Sequence, residues 1–143
     1  AVEVLEPHVI MHTNSVYPTP VEELRLGYIE YLMDKYVFEP VFRRDDEIGE
    51  TVEIGYSSHY YGVKDVGWAV ALGATWIEKH ITLNHENWGS DQKASVEPNG
   101  VFEMVKQIRD AEKALSMGYQ TREVYPGEES KRKSLVACKG VTD

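Results

Sequence analysis

The chain has 143 residues, enough for one compact core and too few for a complete (βα)8 barrel, which takes roughly 200 residues or more. Its net charge of −9 opposes nucleic-acid binding, because a phosphate backbone demands a basic footprint, yet it leaves a phosphorylated substrate open, since a local basic site or a metal overrides the global field. No apolar run approaches the roughly 18 residues of a membrane span, and a single cysteine, Cys138, excludes an internal disulfide framework.

The first residues, Ala1 to His8, contain Glu3 and Glu6 and lack the basic region of a signal peptide, so the cytoplasm is the expected compartment. Val9 to His12 is a short apolar run, expected as a strand, that opens into Thr13-Asn14-Ser15 and then Tyr17-Pro18-Thr19-Pro20, which continues neither strand nor helix. Glu22 to Tyr36 carries Leu24, Leu26, Ile29, Leu32 and Tyr36 at helical spacing, with Pro20 just ahead of the first turn. Phe38 to Thr51 is charged and irregular and reads as a surface excursion. Val52 to Tyr56 is the second expected strand, running into Ser57-Ser58-His59. A helix is expected over Val63 to Leu72, stopped by Gly73, and a third strand over Ala74 to His80. A polar loop rich in Asn, Gly and Asp leads to Pro98, and Asn99 to Met117 is the most regular helical pattern, closed by Gly118. From Tyr119 to Asp143 the periodicity is lost, and Lys131-Arg132-Lys133 reads as solvated surface.

Short apolar strands alternating with helices predict a parallel α/β sheet with crossover helices, about three βα units. In such folds ligands sit at the C-terminal ends of the strands. His59 and His80 fall there on neighbouring strands, roughly 4.8 Å apart across the sheet. Two imidazoles at matching height can share a cation, with Asp91 in the next loop as a carboxylate of the same region. The plainer alternative is two unrelated hydrogen-bonded histidines. Strand alternation puts Glu78 and His80 on one face and Lys79 on the other, so that Glu78 either orients a ligand or serves an internal ion pair. Tyr17 either donates a hydrogen bond to a ligand or packs its ring over the following helix.

The ordered motifs Tyr17-Pro18-Thr19-Pro20, Gly55-Tyr56-Ser57-Ser58-His59, Ala71-Leu72-Gly73-Ala74-Thr75-Trp76-Ile77-Glu78-Lys79-His80, Gly89-Ser90-Asp91 and Arg132-Lys133-Ser134-Leu135 resemble those of the N-acetylneuraminate (sialic acid) synthase family. The likeness runs from about Val9 to Gly140 and falls on the C-terminal part of that family's TIM-type (βα)8 barrel. It implies a condensation of phosphoenolpyruvate with an N-acetylmannosamine-type aldehyde to a nonulosonic acid. It implies a divalent cation, manganese first, with magnesium or cobalt as alternatives, on His59 and His80. Asp91 and Tyr17 then carry catalytic and sugar contacts, Ser15 a substrate contact, and Ser57 the phosphate. The chain departs from the family pattern at Ser58, where the family has an aspartate, at Ser90 in place of a proline, and at Gln92 in place of a frequent histidine.

Residues 1–118 thus read as a partial barrel, and residues 119–143 as an irregular tail that packs on it or leads toward a further domain. The family strands and lysines that hold phosphoenolpyruvate have no counterpart in the chain. Three readings follow: an enzyme section that works with further strands, a non-catalytic metal- and sugar-binding half-barrel, and a structural self-associating fragment. A homo-oligomer or a complementary chain is expected to cover the open sheet edges and an inner face expected to carry Val9, Met11, Val52, Ile54, Thr75 and Ile77.

Overall fold

The computed structural model describes residues 7–38, 52–116 and 124–137. Three strands, β1 (Val9–Thr13), β2 (Glu53–Ser58) and β3 (Trp76–Lys79), form one parallel sheet in the order β1-β2-β3. Met11, Gly55 and Trp76 lie abreast in register, as do Thr13, Ser57 and Glu78. The expected α/β class and parallel sheet are what the chain adopts, and the sheet is open rather than closed into a barrel. Helices α1 (Tyr28–Met33), α2 (Lys64–Ala71), α3 (Pro98–Leu115) and α4 (Pro126–Ala137) complete the described elements. None of the described helices is long and apolar enough to cross a membrane.

The core lies between the sheet and the helices. Ile54 and Tyr56 of β2 meet Ile29 and Leu32 of α1, Ala69 of α2 and Ala74, with Ile10, Val52 and Ile77 packed around them. Ile29 and Ile54 are fully buried, each contributing about 1.5–3 kcal/mol of hydrophobic stabilisation. Side-chain alternation therefore corrects the expected inner face: Ile54 is in the core, Val52 and Ile77 pack against it, Thr75 is exposed and bonds the Glu53 carboxylate, and Val9 and Met11 fall on the open side with Trp76. On that side Gly55 has no room for a side chain, because a Cβ there would overlap Met11 Sδ and the Trp76 Cβ.

Two helical segments differ from the sequence expectation. The long helix expected over Glu22 to Tyr36 begins as a separate short turn at Val21–Glu23, breaks at Arg25 (φ 45°), and resumes at Tyr28, widening into a π-type turn over Asp34–Phe38. The break has a visible cause. Asn14 Nδ2 donates to Glu23 O at 3.0 Å and His12 Nε2 donates to Leu24 O at 2.8 Å, so both carbonyls are engaged by side chains from the end of β1. The second difference is α4, which occupies part of the tail expected to be irregular. Glu128 N donates to Tyr125 O at 2.8 Å, and the Glu128 carboxylate accepts from Tyr125 N at 3.4 Å, a reciprocal N-terminal cap. Pro126 stands at the first helical position, where its missing N–H costs nothing. Its residues are largely exposed, Lys131, Arg132 and Lys133 among them, so no apolar stripe was there to announce the helix.

The helix α2 stops where Gly73 takes a left-handed φ of 103°, and α3 starts at Pro98. The charged excursion over residues 39–51 and the Met117-Gly118 helix end lie outside the described residues.

Candidate functional site

The second and third strands stop at Ser58 and Lys79, which pair in register, so His59 and His80 are the first residues beyond two adjacent strands. Their ring centroids are 5.3 Å apart with planes inclined at 68°. Two imidazoles bound to one ion at about 2.1 Å have centroids roughly 5 Å apart at tetrahedral or octahedral angles, so the pair fits shared ligation. The His59 Nδ1 lies 2.6 Å from Asn14 O. A carbonyl only accepts, so Nδ1 carries the proton and Nε2 keeps its lone pair for a ligand, the usual arrangement of a metal-binding histidine. The His80 Nδ1 faces Asp91 Oδ2 at 3.8 Å. Among the described residues no group of three or more His, Cys, Asp or Glu side chains is placed to hold a metal ion, and the two imidazoles are the side chains here that could contribute to such a site.

Tyr17 does not pack its ring over the following helix. Its ring sits against both imidazoles, 5.3 Å from His59 and 4.9 Å from His80 between centroids. Its hydroxyl donates to Asp91 O at 2.9 Å and lies 3.2 Å from Ser95 Oγ. Tyr17 thus links the loop after β1 to the loop after β3. That second loop is tied at its base, where Val96 N donates to His80 O at 2.9 Å and Thr82 N donates to Val96 O at 3.0 Å. Inside it, His85 Nε2 donates to Ser95 O at 2.8 Å.

The other expected site residues are placed less centrally. Ser57 is buried in β2, abreast of Thr13 and Glu78 on the open face. Ser15 is exposed in the loop after β1, next to the Asn14 carbonyl that holds His59. Glu78 is exposed on the same face as Ser57, and its carboxylate has no ion-pair partner among the described residues. Sequence reasoning passed over Asn14, Ser95 and Asp65. Asn14 acts through its backbone carbonyl, which no residue type advertises. Asp65 did leave a signal, a carboxylate beside Val66 and one helical turn before Ala69 on the buried face of α2.

Behind the imidazoles lies a buried polar cluster. Asp65 is fully buried, and its Oδ2 accepts from Tyr56 OH at 2.9 Å and from Ser58 Oγ at 2.5 Å. Lys79 Nζ donates to Ser58 Oγ and to Tyr60 O, each at 2.7 Å. Burial, reinforced by the Asp65 charge, pushes the Tyr56 hydroxyl well above the usual tyrosine range. Burial likewise lowers Lys79, with Asp65 working in the opposite sense.

An open parallel β/α sheet whose polar and imidazole side chains gather at the C-terminal strand ends has the layout of a section of a (βα) barrel. The family model described as the NeuB family matches residues 1–120, and the chain belongs to that family. It is 35% identical over 134 residues to an N,N'-diacetyllegionaminic acid synthase of Campylobacter jejuni, covering 92% of this chain and 36% of that protein. It is 36% identical over 132 residues to the human N-acetylneuraminate-9-phosphate synthase, covering 89% of this chain and 32% of that protein. Among solved structures it is similar to an N-acetylneuraminic acid synthetase from Leptospira borgpetersenii, with a TM-score of 0.64 at 28% identity, over 93% of this chain and 41% of that one. The chain therefore spans about a third of the length of the two relatives.

Proposed function

We propose that this chain is the metal- and sugar-binding section of a nonulosonic acid synthase, which joins phosphoenolpyruvate to an N-acetylhexosamine-type aldehyde. The observation that carries the reading is the imidazole pair at the strand ends, 5.3 Å apart, with His59 Nδ1 held by a carbonyl and Nε2 left available. His59 and His80 would hold a divalent cation, manganese first and magnesium or cobalt next. When bound there, the cation supplies a Lewis acid for the aldehyde oxygen.

The chain's own residues then divide the remaining work. Asp91, half-exposed beside His80, orients the sugar or accepts a proton from it. Tyr17 keeps the two imidazoles and the Asp91 loop in one arrangement, which acts on the substrate by positioning. Ser57, on the open face, would receive the phosphate, and the exposed Ser15 in the loop after β1 would contact the substrate.

The test is a titration of Mn²⁺ into the protein and into His59→Ala and His80→Ala. Both variants should lose affinity by more than tenfold. Unchanged affinity in both ends the proposal. Mixed with Mn²⁺, phosphoenolpyruvate and N-acetylmannosamine, the 143-residue chain should release no more phosphate than His80→Ala, because it carries about a third of a synthase.

A further inference from the structure

Neither imidazole belongs to the strand ladder. Each is one residue past a strand end, so the sheet's hydrogen bonds do not by themselves fix where the two rings point. The residues that do lie in the sheet at this level, Ser58 and Lys79, turn toward the helix layer and meet each other there, Lys79 Nζ donating to Ser58 Oγ at 2.7 Å. Ser58 Oγ in turn donates a hydrogen bond to Asp65 Oδ2 at 2.5 Å, and Tyr56, two residues back on β2, donates to the same oxygen at 2.9 Å. Asp65 stands in the first turn of α2 and is fully buried. Its second oxygen, Oδ1, has no donor among the described residues. A buried carboxylate half-satisfied in this way is costly, and a fold retains one where it fixes an arrangement that apolar packing does not specify.

We infer that Asp65 is a positioning residue for the imidazole pair: through Ser58 and Lys79 it locks the residues that precede His59 and His80, and so sets the spacing of the two rings. The inference rests on the metal-binding reading for its functional meaning, and on geometry alone for its structural content. Strand β2 is gripped from behind at Tyr56 and Ser58, and β3 at Lys79, by one carboxylate network. Lys79 is also tied to Tyr60 O at 2.7 Å, which spans His59 on its far side. Losing the carboxylate removes the acceptor that orients the Tyr56 and Ser58 hydroxyls, and with it the fixed orientation of the Ser58 oxygen that receives Lys79.

The experiment compares the wild type with Asp65→Asn, with the double variant Ser58→Asp/Asp65→Val, and with Ile29→Val as a control for plain loss of stability. The double variant moves the carboxylate onto the strand, where it can reach Lys79 directly, and removes the buried charge from the helix. The first readout needs no metal: nuclear Overhauser contacts between the His59 and His80 rings, and their ring chemical shifts. The second is Co²⁺ affinity with its visible absorption spectrum. Asp65→Asn should weaken the ring contacts and lower Co²⁺ affinity about tenfold, no more than loss of a direct partner of a ligating imidazole costs. The double variant should restore both, and Ile29→Val should change neither. Wild-type ring contacts in folded Asp65→Asn overturn the inference. If Asp65→Asn does not fold, a folded double variant without ring contacts overturns it. A wild type that shows the ring contacts and binds no Co²⁺ ends the metal-binding proposal and leaves the role of Asp65 standing on the first readout.

Discussion

Replacing Tyr17 with phenylalanine removes one oxygen and keeps the ring, which separates the two things Tyr17 does. The hydroxyl donates to Asp91 O at 2.9 Å and lies 3.2 Å from Ser95 Oγ. Neither partner is orphaned by its loss. Asp91 O still accepts from Ser95 Oγ at 2.7 Å and from Ser95 N at 3.1 Å, and Ser95 Oγ still has that carbonyl to donate to. The cost is therefore the net value of one hydrogen bond with no added desolvation penalty, about 1 kcal/mol or less. Expressed in cation affinity that is at most roughly fivefold. Tyr17→Ala is a different perturbation, since it removes the ring that touches both imidazoles at 5.3 and 4.9 Å. Truncating a fully buried aromatic costs about 3–5 kcal/mol, and the half-buried Tyr17 should cost roughly half of that. The freed imidazoles should lose more than tenfold in affinity. Calorimetric titration with Mn²⁺ at neutral pH, together with thermal denaturation, measures both terms. Loss of binding in Tyr17→Phe would mean that the hydroxyl itself touches the bound species. Unchanged affinity in Tyr17→Ala would refute the view that the ring holds the imidazoles in place.

Gly55→Ala should destabilise the fold by about 1–3 kcal/mol, because the new methyl meets Met11 Sδ and the Trp76 Cβ across both neighbouring strands; a denaturant midpoint equal to that of the wild type would contradict this packing. Alkaline pH should destabilise the protein through Tyr56. Its folded-state value is raised above the usual 10.0, so its contribution is complete below pH 10 and is lost as the pH climbs from there toward the folded value, with a slope of up to about 1.4 kcal/mol per pH unit. Tyr56→Phe should flatten that part of the stability profile, and an unchanged slope would assign the effect to another group.

The parallel α/β layout was legible because each strand is a short apolar run that ends in polar residues and is followed by a helical pattern. Its details were less so, for reasons that can be named. The first long helix carried sound apolar spacing at Leu24, Ile29 and Leu32, all of them buried, yet it breaks at Arg25 because His12 and Asn14 occupy the carbonyls of Leu24 and Glu23. That competition is tertiary, and no window of local sequence contains it. The helix α4 was invisible for the opposite reason: it is specified by a cap and by charged helix formers rather than by a buried stripe. The imidazole pair was readable from position alone, since both histidines follow a strand by one residue. The roles of Asn14 O, Ser95 and Asp65 were not, because each depends on partners in another element, 7 to 78 residues away, or on a backbone atom.

The placement of the site also explains why so much side-chain bonding surrounds two residues. A strand ladder fixes backbone positions up to its last pair, here Ser58 and Lys79. Beyond it the carbonyls of His59 and His80 are held by Thr19 N and Val96 N, each at 2.9 Å, which fixes the backbone and leaves the ring torsions to side-chain contacts. The protein restrains the pair through three sets of contacts, two of them in one loop. Asn14 O holds His59 Nδ1 from the loop after β1. Tyr17 packs on both rings from the same loop, and its hydroxyl ties it to the Asp91 carbonyl in the loop after β3. The Asp65, Ser58 and Lys79 cluster grips both strand ends from the helix side. The loop after β1 supplies the first two and a helix the third, so the loop support and the helix support can fail separately. Single variants in each should therefore loosen the pair by degrees, and a combined Tyr17→Ala/Asp65→Asn variant should show whether their effects on ring geometry add, as independent supports must.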